Sequence, residues 1–539
     1  MADGIGRASA FLASGTIVSR ILGFVKAIAL ASAIGLVGSS SADAFAVANQ
    51  LPNTIYAIIA GGVLTAVLVP QIVRAGLAAD GGAAYINKLM TVALVVLAAS
   101  AVIGTALAPL LTLLYGAALS PDQRALATAF AFWCLPQIFF YGLYTVLGEV
   151  LNARRSFGPY TWAPVVNNVV ALAGIAVFIV MYGSDPTGAR SISAWSPTMI
   201  AVLAGTATLG VALQSIILFY FWRRVGLRYR PDFHWRGVGL GAAGRMASWT
   251  FGMILLTTAA GLVETIVVGI ASGDDASVAA LGNAWLVFML PHSVITVSIA
   301  TAYFTRMAEH ASHGRTSELR TDISSAIRGI SLIIVLAAAV LLVTAYPFAA
   351  IFTNESFVQT AAFGNVIIAY LLGLVPFCIL FVIQRAFYAL GDTRTPFFFT
   401  LAQTIIVVVL VVACSLLPPE WIAAGIALSV TIAGTVQLLI ATNLLRRRLH
   451  GIDGGRIVRS LLVYAWPAII AMVIGLVILV LLGGTQDGGF AVSGIAPAIV
   501  SMAIIGAAMA AVYFGLLWVV RAPELRTFGE PLLERFRRR

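Results

Sequence analysis

Two permanent cations, Arg20 and Lys26, lie in the first long apolar stretch of the chain, which holds no acidic residue. An ionisable side chain at the centre of a membrane helix costs at least ~2.5–3.5 kcal/mol, so each calls for a partner, a hydrated cavity or a task. Six residues separate the two, ~9 Å along a helix and about 120° around its axis. Gly23, between them, offers a place for the helix to bend or for a ligand to come close. Facing a cavity, the pair suits a phosphate-bearing substrate, with Arg20 as a bidentate fork and Lys26 as a point charge. The competing reading pairs them with Asp43, Glu149 or backbone carbonyls, or lets them reach an interface.

The other groups able to do chemistry are few. Asp43 stands at the outer start of the second apolar stretch, Glu149 near the end of the fourth, Glu264 in the seventh, His292 in the eighth and Arg385 in the tenth. Glu264 and Arg385 read either as a structural ion pair between two spans or as part of a coupling-ion site, since a buried carboxylate is a common Na⁺ or H⁺ handle in transporters. Glu149 suits an interfacial position, and His292, after Pro291, a packed histidine. Asn49, Gln50, Asn53 and Thr54 surround Pro52 and would soften the second span and line a wet cavity; Asn167 and Asn168 would do the same in the fifth. Cys134, Cys378 and Cys414 sit in apolar runs without disulfide or metal-ligand spacing, and no cofactor is expected. The chain shows no phosphate-binding loop, nucleophile elbow, zinc ligand set or dinucleotide fingerprint, so no enzyme activity is expected.

These residues need helices to carry them, and the composition supplies membrane helices. The chain has 539 residues, 60% hydrophobic and 10% charged, with a mean hydropathy of +1.00. Soluble domains carry nearer 25% charged residues, and a bilayer is the solvent that accommodates so much apolar surface. About fourteen spans are expected, near 11–36, 44–73, 89–116, 125–151, 160–183, 197–222, 243–271, 277–304, 326–350, 357–390, 396–417, 421–445, 457–483 and 492–520. With the N-terminus in the cytosol, 27 of the 32 basic residues fall in cytosolic segments and two, Arg124 and Arg190, in outer loops. That asymmetry is the positive-inside pattern, and it places both termini in the cytosol. It also accounts for the net charge of +11 without a nucleic-acid partner. Leu51-Pro52 and Leu290-Pro291, and the prolines Pro159 and Pro396 that open later spans, recur at similar offsets. They point to a six-helix unit used twice in one orientation. The expected organisation is a lobe over 1–237, a second over 238–455, two further helices over 456–521, and a basic cytosolic tail over 522–539 that lies along the anionic leaflet.

Several runs resemble one family closely. Ser19-Arg20-Ile21-Leu22-Gly23-Phe24-Val25-Lys26 resembles the first-helix signature of the MurJ (MviN) family. Ala42-Asp43-Ala44-Phe45-Ala46-Val47-Ala48-Asn49-Gln50-Leu51-Pro52-Asn53 resembles its second-helix entry, continued by Gly61-Gly62-Val63-Leu64 to Val69-Pro70. Leu151-Asn152-Ala153, Ala163-Pro164 and Phe387-Tyr388-Ala389 with Asp392 and Thr395-Pro396 are further matches. The resemblance implies an all-α exporter of the multidrug/oligosaccharidyl-lipid/polysaccharide type: two six-helix lobes, plus two C-terminal helices that form a groove for a lipid tail. It implies a lipid II flippase of the bacterial inner membrane, moving the undecaprenyl-pyrophosphate-linked disaccharide-pentapeptide to the outer leaflet by alternating access. It also implies dependence on membrane potential, with the coupling ion open. Arg20, Lys26 and Asp43 match positions the family needs, the first two as pyrophosphate ligands. Cations that many relatives carry at the places of Ala57 and Leu286 are absent, so Asn49, Gln50, Asn53 or Asn167 would have to contribute. Membrane lipids and cell-wall synthesis proteins are the other expected partners. Two rival readings remain: a sister transporter, either a polysaccharide-lipid flippase or a cation-coupled drug exporter, and a scaffold that recruits wall enzymes through the basic tail.

Overall fold

The computed structural model describes residues 2–60, 83–154, 156–233, 244–353 and 356–525, without the side chains of 2–13, 83–85 and 244–247. All regular structure among the described residues is helical. Thirteen helical segments among them are long and apolar enough to cross a bilayer, and they fall one to one on the sequence-derived spans other than the second. That span begins as the helix Ser40–Ile59 and continues, like the motif from Gly61 to Pro70, into residues outside those described. Most of the basic tail, 526–539, also lies outside them. Large apolar side chains point outward along the spans: Val180 is 86% exposed and Leu481 80%. Lipid is the environment that covers such faces without cost.

The chain divides into two compact units, Met1–Gly273 and Asp274–Arg539. In the first unit the helices are α1 (Ala2–Ile34), α2 (Ser40–Ile59), α3 (Ala83–Ala106), α4 (Ala108–Tyr115), α5 (Pro121–Cys134), α6 (Gln137–Ala153), α7 (Phe157–Tyr182), α8 (Pro197–Arg224) and α9 (Gly244–Val268). The turn from α1 to α2 is tight. Gly35 has φ +81, and a Cβ there would meet the Gly188 backbone at 2.6 Å, so a side chain is excluded twice over. Ser39 caps α2 by accepting from the Ala42 N–H at 3.1 Å. Leu135-Pro136 interrupts the fourth span, dividing it into α5 and α6, because Pro136 has no N–H for the helical ladder.

The second unit holds α10 (Val278–Pro291), a π-helical turn at His292–Thr296, α11 (Val297–Ser312), α12 (Thr316–Val343), α13 (Ala345–Thr353), α14 (Phe357–Leu371), α15 (Leu374–Ala389), α16 (Arg394–Cys414), α17 (Pro419–Arg448), α18 (Gly454–Leu481) and α19 (Ile495–Val519). The internal repeat is visible in which helices touch. The pairs α2–α5, α3–α6, α4–α5, α5–α8, α6–α8 and α7–α8 recur as α10–α14, α12–α15, α13–α14, α14–α17, α15–α17 and α16–α17. The division between the units falls after α9, at Gly273, where the sequence-level lobes divide at 237. Its physical basis is the packing of α9 on α2 and α4, reinforced by the Gln50 amide donating to the Thr265 hydroxyl at 3.4 Å. The two helices over 456–521 pack with α12 around a common core that includes Tyr464, Met509 and Tyr513. The Tyr513 hydroxyl donates to the Leu332 carbonyl at 2.8 Å.

Candidate functional site

Within the first unit, α1, α2, α6, α7 and α8 enclose a chamber of about 80 Å³. At ~10–15 Å³ per water in this measure, that is room for about five to eight waters, or one group of phosphate size. Among the described residues its polar wall is Lys26, Asn49, Gln137, Tyr141, Asn167 and Thr206, and no carboxylate lines it. Leu30, Phe45, Ile175 and Leu203 supply apolar wall. The Thr206 hydroxyl donates to the Val202 carbonyl at 2.7 Å and the Tyr141 hydroxyl to Gln137 Oε1 at 3.2 Å, so what the wall offers an anion is the Lys26 ammonium and the carboxamide N–H groups.

The packing of α1, α7 and α8 sets this geometry. Asn168, 6% exposed, donates from Nδ2 to the Ser19 carbonyl of α1 at 2.8 Å. This fixes the face of α1 one turn and more before Lys26. On the other side, a Cβ at Gly210 would sit 2.5 Å from Asn167 Oδ1 and 2.8 Å from its carbonyl oxygen. Only glycine lets α8 approach α7 this closely at the chamber wall. Gly23 has ordinary room, its nearest neighbour being Asn168 Nδ2 at 3.7 Å, and α1 runs through it as one continuous helix.

The structure brings together only part of the set read from the sequence. Lys26, Asn49 and Asn167 share the chamber. Arg20 does not line it: the side chain is exposed, as the rotation of about 120° between the two cations requires. Among the described residues neither Arg20 nor Lys26 forms an ion pair. Asp43 is 1% exposed and away from the chamber lining; it accepts from the Ser272 hydroxyl at 2.7 Å. Ser272 in turn accepts from Gln123 Nε2 at 3.1 Å, and Gln123 is half of the capping box that starts α5. Asp43 therefore joins the starts of α2 and α5 to the segment after α9. Gln50 is turned to Thr265, and Asn53 is exposed outside the chamber lining.

Glu264 and Arg385 fall in different units, Glu264 half-buried on α9 of the first and Arg385 half-buried on α15 of the second. Among the described residues neither is in an ion pair. Arg385 lies over two rings of its own unit, 4.9 Å from the Phe381 centroid and 5.2 Å from that of Phe304. Cation–π attraction gives it a partner without an anion. His292 is buried in the π-helical turn, edge-on to Phe377 and Phe381, with Nδ1 3.5 Å from Cys378 Sγ.

Gln137, Tyr141 and Thr206 were not among the sequence-derived candidates. A search for charges at membrane depth passes over neutral carboxamides and hydroxyls. The available signal was Gln137 and Tyr141 one turn apart in an apolar span directly after a proline.

Comparison with known proteins agrees with this architecture. A "Probable lipid II flippase MurJ" of Rhizobium meliloti is 27% identical over 444 residues, covering 79% of this chain and 77% of that protein. One of Buchnera aphidicola subsp. Acyrthosiphon pisum is 25% identical over 487 residues, covering 86% and 87%. A solved lipid II flippase MurJ in an inward closed conformation superposes with a TM-score of 0.71 at 18% identity, covering 94% of this chain and 99% of its own. A multidrug-resistance MATE transporter in an inward-facing conformation gives 0.63 at 16%, covering 81% and 96%. These structural likenesses establish the fold. The family described as "Lipid II flippase MurJ" matches residues 30–495, well over half of the sequence, and the chain therefore belongs to that family.

Proposed function

We propose that the chain moves lipid II from the cytosolic to the outer leaflet of the bacterial inner membrane, with both termini in the cytosol. The observation that carries this reading is Lys26: among the described residues it is a membrane-depth cation without an ion-pair partner, in a chamber lined by carboxamides and by no carboxylate. The chamber, about 80 Å³, has room for one phosphate group of the diphosphate. Transport needs no covalent step and no bound cofactor. The driving force in this reading is the membrane potential, worth about 2.3 kcal/mol per charge per 100 mV. Arg20, exposed on the same helix, is a second contact for the headgroup outside the chamber.

The test is complementation of a flippase-depleted strain together with an assay of lipid II leaflet accessibility. Lys26→Met and the double variant with Arg20→Met should insert normally and fail to restore outer-leaflet lipid II. Wild-type accessibility in the double variant would defeat the diphosphate role. The sister reading, a cation-coupled drug exporter, draws support from Glu264, a half-buried carboxylate outside any ion pair among the described residues. It predicts that Glu264→Gln abolishes drug resistance conferred by the protein while wall synthesis continues.

A further inference from the structure

We propose that Tyr56, Tyr160 and Glu149 form a sugar subsite beside the chamber, taking the N-acetylated pyranose that follows the diphosphate in lipid II. The inference rests on the lipid II reading and deepens it. Its starting point is helical register. Asn49 of α2 and Asn167 of α7 line the chamber. Tyr56 stands seven residues after the first and Tyr160 seven residues before the second. Seven residues are two turns less about 20°, so each tyrosine continues the chamber-lining face of its helix about 10 Å further along. On α6, Tyr141 lines the chamber, Thr145 follows one turn on, and Gly148 and Glu149 follow after two. The three strips meet at one end. The Tyr56 and Thr145 hydroxyls hydrogen-bond to each other, and the Tyr56 ring lies 5.8 Å from that of Tyr141. The Tyr160 ring rests on α6 at Gly148, where a Cβ would come within 2.1 Å of it.

Tyr56, Glu149 and Tyr160 are each half-buried, and the Glu149 carboxylate lies within electrostatic reach of both tyrosines. Among the described residues Glu149 accepts no hydrogen bond and forms no ion pair. A pyranose has C–H groups on its faces and hydroxyl and amide N–H donors around its rim. The electron-rich face of an aromatic ring attracts the first, and an ionised carboxylate accepts from the second through two oxygens. Tyr160 is a firm platform: it stacks on Tyr144 at 4.7 Å, and the Tyr144 hydroxyl donates to the Tyr160 carbonyl at 2.9 Å. Charge is segregated to match. The cation Lys26 is in the chamber wall, and the carboxylate is two turns away, where it meets a neutral sugar and does not repel the diphosphate. That order fits a headgroup in which the sugar is joined directly to the phosphates.

The test uses full-length protein in lipid nanodiscs and measures the Kd of three probes: lipid II, lipid II without its stem peptide, and undecaprenyl pyrophosphate, which carries no sugar. Glu149→Gln keeps the shape and removes the charge. It should weaken both sugar-bearing probes about five- to tenfold, the difference between a charged and a neutral acceptor. Tyr160→Leu should weaken them about three- to tenfold through loss of the aromatic face. Both variants should bind undecaprenyl pyrophosphate like the wild type, whereas Lys26→Met should weaken all three probes. Glu149→Gln is isosteric, so it decides the matter whatever Tyr160→Leu does to the fold. Wild-type affinity for lipid II in Glu149→Gln, with Lys26→Met impaired, would overturn the inference and leave the lipid II reading standing. An equal loss for undecaprenyl pyrophosphate would assign the cluster to packing at the membrane interface and overturn it too. A loss that disappears with the stem peptide would assign it to the peptide, with the same result. A wild-type protein that binds none of the three probes would defeat the reading and the inference together.

Discussion

Arg328 on α12 and Glu524, just after α19, form an ion pair with both side chains only 9% exposed. Glu524→Gln removes the counter-charge and leaves the buried guanidinium only neutral acceptors: the new amide oxygen, Ser324 Oγ at 3.4 Å and Ser325 Oγ at 3.3 Å. Breaking one side of a buried pair costs about 3–5 kcal/mol, because the remaining charge keeps its desolvation penalty without its partner. At 1.4 kcal/mol per tenfold, the segment around 520–525 should open about 10²- to 10⁴-fold more often. Hydrogen–deuterium exchange of the protein in lipid nanodiscs reads this directly, as faster exchange in the N-terminal half of α12 and at the C-terminal end of α19. The double variant Arg328→Met with Glu524→Leu removes both charges and keeps the volume. It should recover most of the protection, since a buried pair replaced by apolar groups is often neutral or stabilising. Exchange in Glu524→Gln indistinguishable from wild type would refute the reasoning, as would a double variant more open than the single one.

Two further substitutions probe the framework of the chamber. Gly210→Val should force α7 and α8 apart, since even a Cβ would overlap Asn167 at 2.5 Å; a sharp loss of monodisperse protein on size-exclusion chromatography is the expected result. Asn168→Ala deletes the bond to the Ser19 carbonyl and should cost about 0.6–1.7 kcal/mol, the range for interhelical hydrogen bonds in membranes, read as a lowered melting temperature with insertion intact.

The spans were legible because a bilayer imposes a length and an apolar composition that no other environment requires. The repeat was legible from four prolines because a proline at the same place in two copies marks the same break in the helical ladder, and the recurring helix pairs carry the same symmetry in three dimensions. Side-chain direction was less legible. Arg20 and Lys26 looked alike as cations in one span, and six residues do not make a whole number of turns, so only Lys26 reaches the chamber. Asp43 carried a charge but not its destination: its partner Ser272, and Gln123 that donates to Ser272, are far away in sequence. Gln137 was invisible for the opposite reason. It carries no charge, and its place in the chamber wall comes from how α6 packs against α7 and α8.

A carrier must let its substrate go, and this bears on how few charges the chamber holds. On the lipid II reading, tight binding of the headgroup on one side of the membrane would slow its release on the other. Interactions equally strong throughout the cycle add affinity but no rate. Three or four cations around a diphosphate would demand a competing charge, or a large rearrangement, to open the site. One lysine among neutral carboxamides would bind through hydrogen bonds that water can replace one at a time as the site opens. It follows that adding charge should not help: Asn49→Lys, in the chamber lining, would strengthen headgroup binding and slow turnover. In the liposome assay it should lower half-saturation and maximal rate together, whereas a rise in maximal rate would show that cation number, rather than release, limits this transporter.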